Sequence, residues 1–493
     1  MRNYSKNHKI FLPLICAITA GAYLLCMSGR RILNCDDMAV IHITMPGLTL
    51  NEMFQRLLIL DIQPPLVAMI EGLWLRIVPV NYILYKIPSI IATTIAIYLL
   101  CRLCYKHNGT IACILMGVMI PLSNCIFYEG AFSMRPYGFL FLTTSWAIYL
   151  FDEINQSIYN KRKIKISLLI NFGLSLLLLV YTHYFGIFVF LSLGVAQFIV
   201  VIKEKKILYL LPFIVSGICF LPWVLGVMLP SAKLHESFWP PIPNLKSIGV
   251  LISYMCGWNG VGIIVLIFSI LFFIFRFITA SEYRLSYECF LINILWLIVI
   301  IAIGIPYMYS CYGNSNASVW VHRYFIIIMP PLLITISFGI TEIQKKITGN
   351  KIDNKCIKNG FILKYTISFV FISILLSTQS IKNYDATEEP YESAIRYLNS
   401  CQDLEDNTTV LISMFNFYDA FNFLYADKGV NGNKKAYALT QLTSETIDIY
   451  DKIYILTEFY PNNEDTEHYI KNLVGNKYKF DCIEKSVIVM SKL

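Results

Sequence analysis

Apolar residues along the chain collect into eleven runs that read as helices crossing a bilayer, whose hydrocarbon takes about 20 mostly apolar residues to span. The runs lie near 10–28, 83–101, 110–127, 137–151, 166–181, 186–202, 207–224, 261–278, 289–306, 324–342 and 363–380. The shorter ones imply tilt or buried neighbours. One further apolar segment, PPLVAMIEGLWLRIVPV at 64–80, is short and carries Glu71 and Arg76, so it reads as a half-inserted or interfacial helix. The first run continues to Arg30 and Arg31 without a small-residue cleavage site, which reads as a span and not a cleaved signal.

After about residue 383 the pattern changes. YESAIRYLNS reads as a helix, TTVLISMF as a strand, FYDAFNFLYADKG as a helix closed by glycine, and DKIYILTEF and EKSVIVMS as strands. Alternation of this kind predicts a small α/β domain at 383–493, following a membrane domain at 1–382 whose first outer loop is 29–82.

Composition agrees with that division. The chain is 56% hydrophobic and only 15% charged, too little polar material to cover a water-soluble surface, so it is an integral membrane protein. Its net charge of +8 conceals a contrast. The segment after 382 has ten basic and eighteen acidic residues, against thirty and fourteen before it. In the membrane part, twenty Lys and Arg lie in one set of alternate loops and eight in the other. That bias places the N-terminus in the cytoplasm and, with eleven spans, the C-terminal domain outside. Basic residues flank apolar runs and do not form aromatic-interleaved patches, so nucleic acid is not an expected partner. Most of the 14 cysteines sit inside apolar runs, as small hydrophobes do. Cys101 and Cys104 form a lone CxxC with only His107 nearby, which reads as helix-end packing. Cys401 and Cys482 have two open readings, an outer disulfide or two buried thiols.

Ionisable residues near spans are expensive, and each is a functional candidate. On the expected outer side they converge: Asp36 and Asp37 in RRILNCDDMAV, Asp61 and Gln63 in DIQPPL, Glu129, Arg135 and Tyr137 in YEGAFSMRPYGF, His183 and Tyr184 in THYFG, and His322, Arg323 and Tyr324 in VHRYFIIIMPP. A carboxylate here can accept a hydroxyl proton; equally, Asp36 and Asp37 can cap a helix beginning at Met38. Arg135 can grip a phosphate in a bidentate manner, or pair with Glu129 or anchor at the interface. Lys86 has the readings of phosphate contact and snorkelling. The histidines lack any HxxxH or HExxH array, and no metal is expected at them. No GxxxxGK[ST] or GxGxxG loop occurs, which removes nucleotide chemistry through those folds.

An acidic pair after the first span, D-x-x-P-P-L before a half-inserted helix, R-P-Y opening a later span and R-Y-x-x-x-x-x-P opening a late one together resemble glycosyltransferase family 39. This is the GT-C group of protein O-mannosyltransferases, aminoarabinose transferases and bacterial relatives. The resemblance covers roughly 10–342. The chain departs from it at Asp37, where the family usually has Glu, at Gln63, where it has His, and at Lys86, where relatives often have Arg. What the resemblance implies is a polytopic α-helical GT-C enzyme of the bacterial inner membrane. It would move a sugar from a polyprenyl-phosphate donor, such as an undecaprenyl phosphate, to a glycan, lipid or protein acceptor at the outer face, with inversion and without a cofactor. Asp36 is then the base and Asp37 its positioning partner. Arg135, Lys86 and Arg323 stabilise the phosphate, and Glu129, Asp61, Gln63, Tyr137 and His183 shape the sugar and phosphate pocket. The rivals are a transporter or flippase, which would show repeats and polar residues near the midplane, and a glycan polymerase or ligase, which would show an Arg- and His-rich outer loop. Neither feature is present in number.

Overall fold

The structure is a computed structural model that describes residues 2–30, 33, 35–61, 63–230, 240–257, 287–313, 318–348, 397–401, 403, 408–413, 436–438, 447–456, 477–484 and 487–493. It divides into two compact units. One comprises Met1–Ser28, Leu57–Ile70 and Lys86–Asn383, and the other Gly29–Arg56, Glu71–Tyr85 and Tyr384–Leu493.

The first unit is helical. Its elements are α1 (Arg2–Met27), α5 (Ile87–Asn108), α6 (Thr110–Met119), α7 (Tyr137–Tyr159), α8 (Ile166–Thr182), α9 (Gly186–Glu204), α10 (Leu211–Trp223), α11 (Leu245–Cys256), α12 (Tyr287–Tyr312) and α13 (Met329–Thr348). Three further helices, α2 (Cys35–Thr44), α3 (Leu50–Leu60) and α4 (Leu66–Leu75), precede α5. Among the described residues six segments are long and apolar enough to cross a membrane: Ile10–Met27, Ile87–Asn108, Gly186–Glu204, Ile207–Met228, Tyr287–Tyr312 and His322–Glu342. The chain is therefore a multi-pass membrane protein. The expected spans at 110–127 and 166–181 appear as shorter helices, and those at 261–278 and 363–380 lie outside the described residues. α4 has ten residues, about 15 Å of helix, which is too short to cross. Large apolar side chains such as Ile199 and Ile218 face outward, as lipid-facing residues do.

α1 packs on α5 and α6, α5 on α7, α7 on α8, and α12 on α9 and α13. At one end of this bundle the fully buried Asp152 of α7 gathers three donors from two other helices. Lys106 Nζ reaches it at 2.8 Å, His107 Nε2 at 2.9 Å and the Tyr287 hydroxyl at 2.9 Å. Buried charge is tolerated where it is paired and hydrogen-bonded in this way. The histidine beside the CxxC motif is thus a carboxylate partner, while Cys101 is buried and donates to the Cys113 carbonyl at 3.5 Å.

In the second unit, Thr49 and Glu52 form a reciprocal cap at the start of α3, with Thr49 N–H donating to Glu52 at 2.7 Å and Glu52 N–H to Thr49 Oγ1 at 3.2 Å. The C-terminal part of this unit contains a five-stranded sheet of β1 (Thr409–Ser413), β2 (Ala436–Ala438), β3 (Lys452–Leu456), β4 (Tyr478–Glu484) and β5 (Val487–Lys492). The order is β2-β1-β3-β5-β4, with β1 parallel to β2 and β3, and β5 antiparallel to β3 and β4. Alternate residues Val410, Ile412, Ile453, Ile455, Ile488 and Met490 build one buried face, the period-2 pattern read from the sequence. Strands were expected at β1, β3 and β5, whereas β2 and β4 are additional. The helix expected at 417–429 lies outside the described residues, as does the side chain of Cys482, on which any pairing with Cys401 depends.

Candidate active site

Asp36 and Asp37 do not cap a helix starting at Met38. α2 begins at Cys35, and both aspartates occupy its first turn, where the helix dipole favours negative charge. Asp36 is half-buried and Asp37 fully buried. Gly72 of α4 admits a close approach within the same unit, since a Cβ there would lie 2.1 Å from Met53 Cε and 3.3 Å from Thr44 Cβ. Next to it is Glu71, fully buried, with neither carboxylate oxygen hydrogen-bonded. Burial, and secondarily the charge of Asp37, push the Glu71 carboxyl well above its ordinary range.

The remaining candidates belong to the first unit, and most converge. Ser89 and Thr93 of α5 donate to the carbonyls of Ser133 and Gly130, at 2.7 and 3.1 Å, and so fasten the YEGAFSMRPY segment to α5. Within that segment Ile126–Ala131 is a π-helical turn, a form often found at functional sites. Gly138 lets α7 come close to it, because a Cβ at that position would stand 2.2 Å from the Gly130 oxygen. Arg135 leaves this anchored segment and donates through Nη1 to Asp61. Its partner is therefore Asp61, and Glu129 instead accepts from the Tyr254 hydroxyl at 2.6 Å. Gln63 is half-buried, its backbone N–H donating to the Asp61 backbone carbonyl.

Gly186 is required by the tight turn between α8 and α9, where a Cβ would meet the Leu179 oxygen at 2.5 Å. The turn places His183 among aromatic rings, with centroids 4.8 Å from Tyr324, 5.9 Å from Tyr137 and 5.8 Å from Phe185. Arg323 lies over the Tyr137 ring at 5.9 Å, a cation–π distance. Burial, then the charges of Arg135 and Arg323, drive the His183 pKa down to about 3, so the ring is neutral. Both guanidinium charges thus act on the same imidazole. Beside Arg323 a cleft of about 360 Å³ is walled by Pro241, Ile242, Val250, Tyr254, Trp320 and His322, mostly apolar. Lys86 is fully buried, donates to the Ser28 carbonyl at 3.2 Å and lies 6.0 Å from the Phe132 ring, so it does not snorkel to water. Among the described residues no three His, Cys, Asp or Glu side chains are grouped to hold a metal ion.

Two residues, one in each unit, are not among the candidates that the sequence singles out. Tyr254 sits in an apolar helix with nothing local to distinguish it. Glu71 carries a signal, an acid inside an apolar helix, which in sequence marks only partial insertion.

No protein-family model matches the chain, and no curated protein matches it. Solved structures do. The structure of ArnT from Cupriavidus metallidurans in the apo state aligns over 99% of this chain and 98% of its own, with 11% identity and a TM-score of 0.58. The same protein bound to undecaprenyl phosphate aligns over 97% and 98%, with 10% identity and a TM-score of 0.58. The similarity extends through both the helical body and the C-terminal part, and the fold is the GT-C fold expected from the motifs.

Proposed function

We propose that the protein is a membrane glycosyltransferase that takes a sugar from a polyprenyl-phosphate carrier. The observation that carries this reading is the pair of guanidinium groups, Arg135 and Arg323, around a buried neutral imidazole, with Arg323 also edging an apolar cleft. Phosphate needs fixed positive charge and N–H donors, and a prenyl chain needs an apolar surface at membrane depth. The same fold occurs in a protein solved with undecaprenyl phosphate bound, which supports a ligand of that class.

The chemistry follows from the groups available. Asp36, in its half-buried position, takes the proton of an acceptor hydroxyl or amine. The acceptor atom then bonds to the anomeric carbon as the bond from that carbon to the phosphate oxygen breaks, inverting the centre. The polyprenyl phosphate leaves with one added negative charge. Arg135, Arg323 and Lys86 stabilise that developing charge in a site where water is scarce. Asp37 keeps Asp36 in place, while Asp61 orients Arg135. Tyr137, Glu129 and Gln63 shape the sugar pocket. The acceptor, whether glycan, lipid or protein, meets the site at the outer face of a bacterial cytoplasmic membrane, with the N-terminus inside and the 383–493 domain outside.

The decisive experiment supplies purified full-length protein with polyprenyl-phosphate sugars and cell-envelope acceptors and follows the sugar by mass spectrometry. Release of polyprenyl phosphate with a glycosylated acceptor is expected. Vectorial movement of the intact lipid, without bond cleavage, would instead establish a flippase.

A further inference from the structure

The turn between α8 and α9 fixes a proton as well as a ring. Phe185 donates its backbone N–H to His183 Nδ1 at 3.1 Å. Nδ1 is therefore the acceptor nitrogen, and a neutral ring must carry its hydrogen on Nε2. That Nε2 is buried and has no hydrogen-bond partner, in a residue only 1% exposed. A buried donor of this kind is costly unless something fills the place in front of it. The groups around the ring say what that is. Tyr137 and Tyr324 flank it, and Arg135 and Arg323 project positive charge onto it. Two guanidinium groups, one of them paired with Asp61, disfavour a metal ion or an ammonium and favour an acceptor-only anion.

We propose that His183 is a tautomer-locked hydrogen-bond donor whose Nε2–H binds a phosphate oxygen between Arg135 and Arg323, and that it acts neither as a base nor as a metal ligand. This rests on the donor class proposed above. A base at this position would need the Nε2 lone pair, but the lone pair of this tautomer is on Nδ1 and already engaged by Phe185. The neutral ring also explains why a histidine suits a place beside two arginines: it adds a directed N–H without adding a third positive charge. Burial acts with the two guanidinium charges to keep it neutral. The ring itself therefore does not titrate across the physiological range.

The test uses the full-length protein in detergent, with polyprenyl monophosphate and inorganic phosphate as probes. His183→Leu is expected to weaken lipid binding about ten- to hundredfold, the weight of one hydrogen bond to a charged acceptor. His183→Gln, which keeps an N–H donor, is expected to recover a large part of that loss. In transfer assays the loss should fall on the KM for the donor and leave the KM for the acceptor in place. Inorganic phosphate should compete more weakly in the leucine variant than in the parent, assigning the contact to the phosphate group. Competition at equal strength by free phosphate and lipid would make the free ion the occupant and keep the contact. Equal lipid binding by parent and leucine variant would overturn the assignment, as would an acidic limb near pH 6 that disappears in His183→Gln, the mark of a titrating base. Where leucine prevents folding, the glutamine variant's pH profile decides alone. Failure of the parent itself to bind polyprenyl phosphate would overturn the donor class instead.

Discussion

Arg135 and Asp61 pair across 74 positions of sequence, joining the segment before α4 to the start of α7. Both side chains are largely buried, at 8% and 18% exposure, so each leaves an uncompensated charge when the other is removed. Arg135→Ala is expected to lower kcat/KM for the lipid donor about a hundredfold or more. Asp61→Asn should cost less, and the double variant should lose less than the product of the two singles. A double-mutant cycle on donor kinetics measures the coupling, and strict multiplicativity would show that Asp61 does not work through Arg135.

Asp36→Asn removes the proposed base and keeps the side-chain volume. Transfer should fall by about 10²- to 10⁴-fold, the usual weight of a general base, while expression, membrane insertion and polyprenyl phosphate binding persist. Product formation at the parental rate would move the base elsewhere.

Tyr254→Phe deletes one hydroxyl from the contact with Glu129. A hydrogen bond to a charged acceptor is worth about 1.5–3 kcal/mol, so a ten- to hundredfold loss in donor kcat/KM is expected with the melting temperature changed by only a few degrees. An activity matching the parent would assign the contact to packing.

Glu71 sets a pH dependence whose sign can be worked out. Its carboxyl is held above the unfolded range by burial and by Asp37, so its stability term is fully present below the unfolded pKa of about 4.3 and is lost as pH rises toward the folded pKa. Glu71→Gln cannot ionise. Its melting temperature relative to the parent should therefore rise between pH 5 and pH 8. A gap that stays constant over that interval would mean the carboxyl is not strained.

Asp403 has the opposite sign. Burial raises its pKa, but the hydrogen bonds from Lys452 and from the Tyr454 hydroxyl, the latter at 2.7 Å, outweigh burial and hold it below the usual carboxylate range. Its contribution is present above about pH 3.9 and is lost as pH falls through the lowered value. Lys452→Ala should lower the melting temperature of the full chain at pH 7 by a few degrees and by less at pH 3. Equal losses at both values would remove the ion pair from the account.

How legible each part was depended on the range of the interaction that decides it. Strands β1, β3 and β5 carry a clear alternation, whereas β2 spans three residues and β4, YKFDCIE, mixes charge into its pattern, so neither stands out locally. Six long apolar helices among the described residues fall on runs whose length alone predicts a span. Candidate residues on short turns, such as His183 in THYFG and Arg135 in MRPY, stand out because polar groups beside apolar runs are costly. Their partners were not. Arg135 choosing Asp61 over the nearer Glu129, and Glu129 choosing Tyr254 at a separation of 125 residues, are decided by packing between helices. The Asp36–Asp37 pair failed as a cap because α2 starts one turn earlier than an Asp-before-Met pattern suggests, at Cys35.

Strand β5 is paired on both sides, with β3 through Lys452–Ser491 to Leu456–Val487 and with β4 through Tyr478–Lys492 to Glu484–Val487. It is the latest described strand to be synthesised, yet it occupies the interior of the sheet. The parallel half, β2-β1-β3, thus emerges from the ribosome with an open apolar edge, and waits for β4 and β5 to arrive together before it is closed. Biosynthesis imposes an order here: the helical body can insert while translation continues, but this sheet is completed only afterwards. A stop codon or bulky fusion before residue 487 would remove the joint of the sheet, leaving a sticky fragment for quality-control proteases on an otherwise inserted protein.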